Sequence, residues 1–270
     1  MPINKIKQKC KNDKFYTKPI VAEHCIDVLL SFVDSDNYFI EPSSGSGSFS
    51  ELLPNNHIAL DIEPENEKIT KMNFFDFVVP NDSIVVGNPP FGERNTLTKK
   101  FIKHSLNAKC IAFILPSVFC KETLQKVFPE NWSLVYNEIL PDNSFTFNGK
   151  DYHVPCVFQI WLKDDTVHDN LRESMKPVFK TDDFTFTNKE DANCFMFGAA
   201  PHKIVEIEEV TCNNRGYWIH ASPEIIEGLR NIPWKKYALS SVNGGVAWYT
   251  KKQILNIYGE CYANSKQPKH

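Results

Sequence analysis

No two of the eight cysteines form a C-x-x-C pair; they lie at positions 10, 25, 110, 120, 156, 194, 212 and 261. That spacing excludes the common zinc frameworks, so no metal is expected. No leader-like segment opens the chain, so a disulfide framework is not expected, and the cysteines read as small buried thiols in a reducing compartment. Long apolar runs are missing as well: none approaches the roughly 18 residues of a membrane span. Internal repeats and low-complexity segments are absent. Excess charge of one sign is lacking, since a net charge of -3 gives no global cationic field and leaves only local basic patches. Two glycine signatures are missing too. There is no G-x-x-x-x-G-K-[ST], and the glycine turn EPSSGSGSF (Glu41 to Phe49) is followed by Ser50 where a dinucleotide fingerprint needs glycine.

What is present is a chain of 270 residues, enough for a domain of about 150 residues with a smaller companion. Lys5, Lys7, Lys9, Lys11, Lys14 and Lys18 face a single acid, Asp13, so residues 1–18 read as a basic arm. Beyond it, strand-like and helix-like segments alternate. Helical spacing of Val21, Cys25, Val28, Leu29 and Phe32 after Pro19 predicts a helix over 19–32. Strands are expected at 38–40, 57–61, 84–87, 110–115, 134–140 and 154–162, and helices at 96–107 and 120–127, with a further helix starting at Gly47. The alternation predicts an α/β, doubly wound, mostly parallel sheet, and the last two strands, joined without room for a helix, predict an antiparallel hairpin at one edge. Near Lys163 the pattern breaks. Residues 19–163 are expected to form one domain and 164–270 a small α+β domain, with short strands at 184–187 and 217–220 and helices around 223–231 and 250–258.

Three strand ends carry the candidate chemistry. The turn after the first strand holds Glu41, Pro42, Ser43, Gly45 and Gly47, and its glycines let a ligand approach the backbone. Asp61, followed by Ile62, ends the next strand, where an acceptor-only carboxylate suits the hydroxyls of a ribose. Asp76, among Phe74, Phe75 and Phe77, can accept from an adenine amino group while a ring stacks on the base. Singly, each acid reads as a cap or a salt-bridge partner; together they fit an adenosine-containing cofactor.

The stretch SIVVGNPPFGER (Ser83 to Arg94) ends a buried strand at Asn88, because Pro89 and Pro90 cannot donate to a sheet ladder. An exocyclic amine is a poor nucleophile while its lone pair is delocalised into the ring. Two acceptors on its two N–H bonds pull the nitrogen toward tetrahedral geometry, and the Asn88 side chain and the Pro89 main-chain carbonyl supply them without a competing donor. Phe91 offers a stacking face worth roughly 1–3 kcal/mol per base.

These residues resemble the class I S-adenosylmethionine-dependent methyltransferases of amino groups, in particular the adenine-N6 DNA methyltransferases and similar enzymes acting on RNA. The resemblance covers about residues 14–163, and NPPF (Asn88 to Phe91) is its most specific element. It implies a Rossmann-like seven-stranded methyltransferase sheet. It also implies that Glu41 and the Gly45/Gly47 turn hold the methionine end of S-adenosylmethionine, Asp61 the ribose, and Asp76 with Phe77 the adenine. Phe15, Tyr16, Thr17 and Pro19 resemble the family's motif that lines the cofactor pocket ahead of the glycine turn, an order like the family's gamma arrangement. Ser43 and Ser44 stand where an aromatic or alanine is frequent, although neither glycine is lost. Family members clamp a flipped base with a second aromatic from the late hairpin, and NSFTFNGKDY offers Phe145 and Phe147 for it. Flipping from a duplex costs a few kcal/mol.

The resemblance implies methyl transfer to adenine N6 in nucleic acid, DNA preferred, in an intracellular protein that is cytoplasmic or nucleoid-associated. RNA adenine methylation, glutamine-N5 methylation of a protein, whose planar amide needs the same two acceptors, and a non-catalytic subunit of the same fold are the alternatives. Arg94, Lys99, Lys100 and Lys103, and Trp248, Tyr249, Lys251 and Lys252 behind Gly244 and Gly245, are the candidate nucleic-acid contacts, against the plainer reading of a solvated helix face and a packed tryptophan.

Overall fold

The computed structural model describes residues 15–163, 170–174, 176, 178–237 and 248–262. The lysines of the basic arm up to Lys14, the boundary residues 164–169, Cys10 and Gly244–Gly245 lie outside the described residues. The chain divides into two compact units, 1–175 and 176–270.

In the first unit the strands are β1 (Tyr16–Thr17), β2 (Phe39–Glu41), β3 (His57–Asp61), β4 (Thr70–Lys71), β5 (Ile84–Gly87), β6 (Cys110–Pro116), β7 (Ser133–Ile139), β8 (Phe145–Phe147), β9 (Lys150–Tyr152) and β10 (Cys156–Leu162). Among the described residues three α-helices accompany them: α1 (Pro19–Leu30), α2 (Thr96–Ser105) and the short α3 (Glu122–Gln125). Seven strands form one sheet in the order β4-β3-β2-β5-β6-β10-β7. Neighbours pair in parallel except around β10, which runs antiparallel to both β6 and β7. This is the expected α/β, Rossmann-like doubly wound architecture with an antiparallel edge.

Burial explains why these runs became strands. All seven residues of β6 are buried, as are the first six of β10, so their β-branched and aromatic side chains pack on both faces. Phe128 stacks on Trp161 with centroids 3.8 Å apart, adding about 0.5–1.5 kcal/mol beyond area burial. Pro19 at the first turn presets α1 without wasting a donor. Expected residues 120–127 become a 3-10 turn, Ser117–Cys120, and α3.

The unit continues past Lys163 because residues 170–173 are fastened to it. Leu171 donates to the Leu134 carbonyl on edge strand β7 at 2.8 Å. The Arg172 guanidinium, 7% exposed, donates to the carbonyls of Pro129, Trp132, Gln125 and Phe128. At the other end, residues 15–18 also belong to the fold. Strand β1 pairs antiparallel with β8, β8 with β9, and Lys18 meets Asp151 at 2.7 Å.

The second unit holds β11 (Phe184–Phe186), β12 (Cys194–Phe197), β13 (Ala200–Val205), β14 (Gly216–Ala221), α4 (Pro223–Asn231) and α5 (Lys251–Tyr262). Its antiparallel sheet has the order β11-β14-β12-β13, over a core that includes Phe184, Met196, Ile219, Trp234 and Tyr258. Ser222 caps α4 by accepting from the Ile225 N–H.

Of the cysteines, Cys25, Cys110, Cys156 and Cys194 are buried as expected, but Cys212 is exposed in a polar loop and Cys120 and Cys261 are half-buried. Among the described residues no helix is long and apolar enough to cross a membrane.

Candidate functional site

In a parallel sheet the C-terminal strand ends share one edge. Here the winding direction reverses between β2 and β5, which opens a crevice where α/β sheets bind ligands. Glu41 ends β2 and Asn88 follows β5, so they flank that crevice.

The expected helix from Gly47 does not form; residues 45–52 make successive turns instead. Gly45 (φ 54°) and Gly47 (φ 103°) leave the right-handed helical region, and the Ser50 hydroxyl donates to the Gly47 carbonyl at 3.3 Å. Asp61 ties the turn down. One carboxylate oxygen accepts the Gly45 N–H at 2.8 Å and the other the Glu63 N–H at 2.8 Å, leaving each oxygen further acceptor capacity. The Tyr16 ring lies 3.6 Å from where a Cβ on Gly45 would stand, and its hydroxyl donates to Glu65. Burial and Glu65 push the Tyr16 phenol up to about 12.

Glu41 is 2% exposed and its Oε2 has no hydrogen-bond partner. Burial raises its carboxyl to about 7, against the opposing pull of hydrogen bonds from Ser44 and Ser50. Pro42 is buried and Ser43 half-buried beside it. Across the crevice, Gly87 (φ 144°) is where the two backbones come together, since a Cβ there would stand 3.2 Å from Glu41 Cγ.

Asn88 is half-buried. Its Nδ2 donates to Thr17 Oγ1 at 3.2 Å, its main-chain carbonyl accepts from the Ser43 hydroxyl at 3.3 Å, and its Oδ1 is buried without a partner. Pro89 is buried, Pro90 exposed and Phe91 half-buried. Thr98, fully buried on α2, holds the turn from below: its hydroxyl lies 3.3 Å from the carbonyls of both Pro90 and Phe91, and its N–H donates to Phe91 at 3.4 Å. Gly92 (φ 66°) leaves no space for a side chain, as a Cβ would lie 2.8 Å from that of Leu97. Arg94 is exposed in the left-handed region, with Lys100 and Lys103 exposed and Lys99 half-buried on α2.

The remaining expected residues lie on other elements of the first unit. Asp76 is exposed at the end of a 3-10 turn, Phe74–Asp76, capped by Asn73. Phe77 is half-buried and its carbonyl accepts from His104 Nε2 at 2.9 Å, while Ile62 is 62% exposed. Of the hairpin rings, Phe145 is 1% exposed opposite Thr17 and presents no free face, whereas Phe147 is half-buried. Phe147 lies 5.8 Å from both Phe15 and Tyr152, and those two stack at 4.8 Å. Sequence reasoning did not single out Tyr152, 41% exposed, nor Gly87 or Thr98. The signal for Tyr152 was there: Asn148 and Gly149, both at positive φ, form the hairpin turn that sets Tyr152 opposite Phe145.

In the second unit, Trp248 seats on Gly198 and donates to the Tyr217 hydroxyl at 3.1 Å, Tyr249 is buried, and the Lys251 ammonium lies 5.2 Å from the Phe186 ring centroid. Trp248 thus packs on one face and keeps 38% of its surface exposed. An open groove of about 650 Å³ runs along α1, lined by His24, Asp27, Glu138 and Asp142 among others, and none of Glu41, Asp61 or Asn88 lines it.

No protein-family model matches the chain, and no curated protein matches it. Among solved structures it is similar to the 23S rRNA methyltransferase ErmE (12% identity, 92% of this chain and 99% of that one, TM-score 0.42). A dimethyladenosine transferase from Plasmodium falciparum also matches, at 17% identity over 55% of this chain and 63% of that one, TM-score 0.39. So does a protein described as the modification subunit of a type I restriction enzyme from Vibrio vulnificus YJ016, at 13% identity over 60% of this chain and 47% of that one, TM-score 0.44. At these identities and scores the likenesses carry no argument about activity, which has to come from the residues themselves.

Proposed function

We propose that the chain is an S-adenosylmethionine-dependent methyltransferase that methylates the N6 amino group of adenine in nucleic acid, with DNA the preferred polymer. One observation carries this reading. Among the described residues only three buried side-chain polar atoms lack a partner, and two of them, Glu41 Oε2 and Asn88 Oδ1, flank the crevice between adjacent strands. An unsatisfied buried polar group costs about 1–3 kcal/mol, which a ligand offering N–H groups to both would recover.

The residues fit the cofactor. Glu41, as a carboxylate, accepts from the ammonium of its methionine end; the glycine turn lets that end approach; Asp61 keeps acceptor capacity for ribose hydroxyls; Asp76, Phe77 and Ile62 offer an acceptor and apolar surface for the adenine. When bound, S-adenosylmethionine supplies a methyl group whose carbon is electrophilic because it sits on a sulfonium. The chain's own work is positioning. Asn88 Oδ1 and the Pro89 carbonyl accept the two N–H bonds of the substrate amine and free its lone pair, while Phe91, half-buried in the turn, offers the flat base a stacking face and Phe147 is the hairpin ring left partly exposed for a second one. The preference for DNA rests on the order of the motifs, with Tyr16 and Thr17 ahead of the glycine turn and a separate unit after the sheet.

The test is incubation with labelled S-adenosylmethionine and separate pools of duplex DNA, single-stranded DNA, RNA and protein, followed by nucleoside and amino-acid analysis. N6-methyladenine from DNA is expected. Label in RNA alone would correct the polymer, label on glutamine would replace adenine as the acceptor, and no label in any pool would reject the reading.

A further inference from the structure

Asn88 is held at both ends by residues distant in sequence: Thr17 takes its Nδ2 and Ser43 its main-chain carbonyl. Thr17 is itself fixed. It is 5% exposed, pairs opposite Phe145 in the β1–β8 ladder, and is followed by a 3.0 Å bond from the Lys18 N–H to the Ser144 carbonyl. A primary amide has two ends of similar shape and opposite hydrogen-bonding sense. With the NH2 turned into the crevice, donor would face donor and a substrate amine would be repelled. With Nδ2 engaged by Thr17, Oδ1 is the end left buried and unpartnered.

We propose that Thr17 is a positioning residue for methyl transfer: its hydroxyl oxygen accepts from Asn88 Nδ2 and so keeps the Asn88 carbonyl turned toward the amine to be methylated. The inference rests on the amino-methyl transfer reading above and adds a role that cofactor contact does not contain. A residue that only lined the cofactor pocket would affect cofactor affinity; one that sorts the two ends of the amide affects turnover.

The experiment compares full-length wild type, Thr17→Val and Thr17→Ser. Valine keeps the shape and strand preference while deleting the acceptor; serine keeps the acceptor. Thr17→Val is expected to lower kcat by about 10- to 100-fold through misorientation of one group. Any rise in its dissociation constant for S-adenosylhomocysteine, measured calorimetrically, should be several-fold smaller than the loss in kcat, and Thr17→Ser should keep kcat within about threefold. In an Asn88→Asp background the two carboxylate oxygens are equivalent and need no sorting, so adding Thr17→Val should cost less than about threefold. If Thr17→Val does not fold, Thr17→Cys, a weak acceptor, replaces it with the same expectation.

A readout independent of turnover completes the test. In 15N-labelled protein the Asn88 side-chain NH2 resonances, assigned by their loss in Asn88→Ala, should shift in Thr17→Val and stay in place in Thr17→Ser. Unchanged kcat in Thr17→Val, serine as poor as valine, a loss confined to S-adenosylhomocysteine affinity, or unmoved NH2 resonances would each overturn the proposal. If no polymer is methylated at all, the amino-methyl transfer reading fails, and the resonances still decide whether Thr17 holds the amide.

Discussion

The Asp61 carboxylate accepts the Gly45 main-chain N–H at 2.8 Å, so the end of β3 holds the turn that follows β2. Its second oxygen takes the Glu63 N–H at the same distance. Asp61→Ala therefore removes two charge-assisted bonds as well as a ribose acceptor. Two effects are expected together: a loss of folding stability of about 1–3 kcal/mol in urea unfolding, and weaker binding of S-adenosylhomocysteine by calorimetry. Unchanged affinity in a folded variant would move the ribose away from Asp61.

Glu41 makes the site sensitive to pH. In the ligand-free protein its carboxyl is raised from 4.5 to about 7 by burial. Below that value it is neutral, and accepting a cationic ammonium means first giving up a proton. Cofactor affinity should thus be level above about pH 7 and fall by up to about tenfold per unit below it. The stability of the ligand-free protein runs the other way: a carboxyl raised on folding contributes fully below its unfolded value and loses that contribution as pH rises through about 7. The decline is up to about 3 kcal/mol. Glu41→Gln should flatten both profiles and leave affinity low throughout. A binding profile that stays sloped in Glu41→Gln would assign the titration to another group.

Gly87 is where β5 leaves space for Glu41. A Cβ would stand 3.2 Å from Glu41 Cγ, and the backbone has φ 144°, which L residues rarely adopt. Gly87→Ala should destabilise the protein by about 1–3 kcal/mol. Making the same change in a Glu41→Ala background separates the causes, since it relieves the contact and leaves the backbone strain. An equal cost in both backgrounds would assign the whole effect to φ.

The parts of this architecture that were readable in advance are those set by burial. The apolar runs at Cys110–Pro116 and Cys156–Leu162 announce strands because both faces of the sheet are covered there. Asn88 and the glycine turn were readable because proline and glycine punctuate the chain locally. The helix expected from Gly47 failed for the same kind of local reason, since Gly47 at φ 103° cannot sit inside a helix. Long-range relations were not readable. Nothing near Thr17 signals that its partner is Asn88, and nothing near Gly87 signals Glu41, because those contacts exist only once β1, β2 and β5 have converged. Phe145 and Phe147 looked equivalent in sequence, and only the pairing of β1 with β8 and the burial of Phe145 distinguish them.

Asn88→Ala is the sharpest separation of chemistry from architecture. It deletes the bond to Thr17, worth about 0.5–1.5 kcal/mol, and at the same time removes a buried oxygen whose missing partner costs about 1–3 kcal/mol. These oppose each other, so the ligand-free variant should unfold within about 1 kcal/mol of wild type. Glu41, Asp61 and the glycine turn are untouched, so S-adenosylhomocysteine affinity should hold. Methyl transfer should fall on the order of 100-fold or more, the scale seen when one preorganised hydrogen-bonding group is removed from a site. Single-turnover transfer to adenine-containing nucleic acid, measured with saturating cofactor, isolates that step from binding. A folded, cofactor-binding Asn88→Ala protein with wild-type turnover would remove Asn88 from the reaction and, with it, the need for a planar NH2 in the substrate.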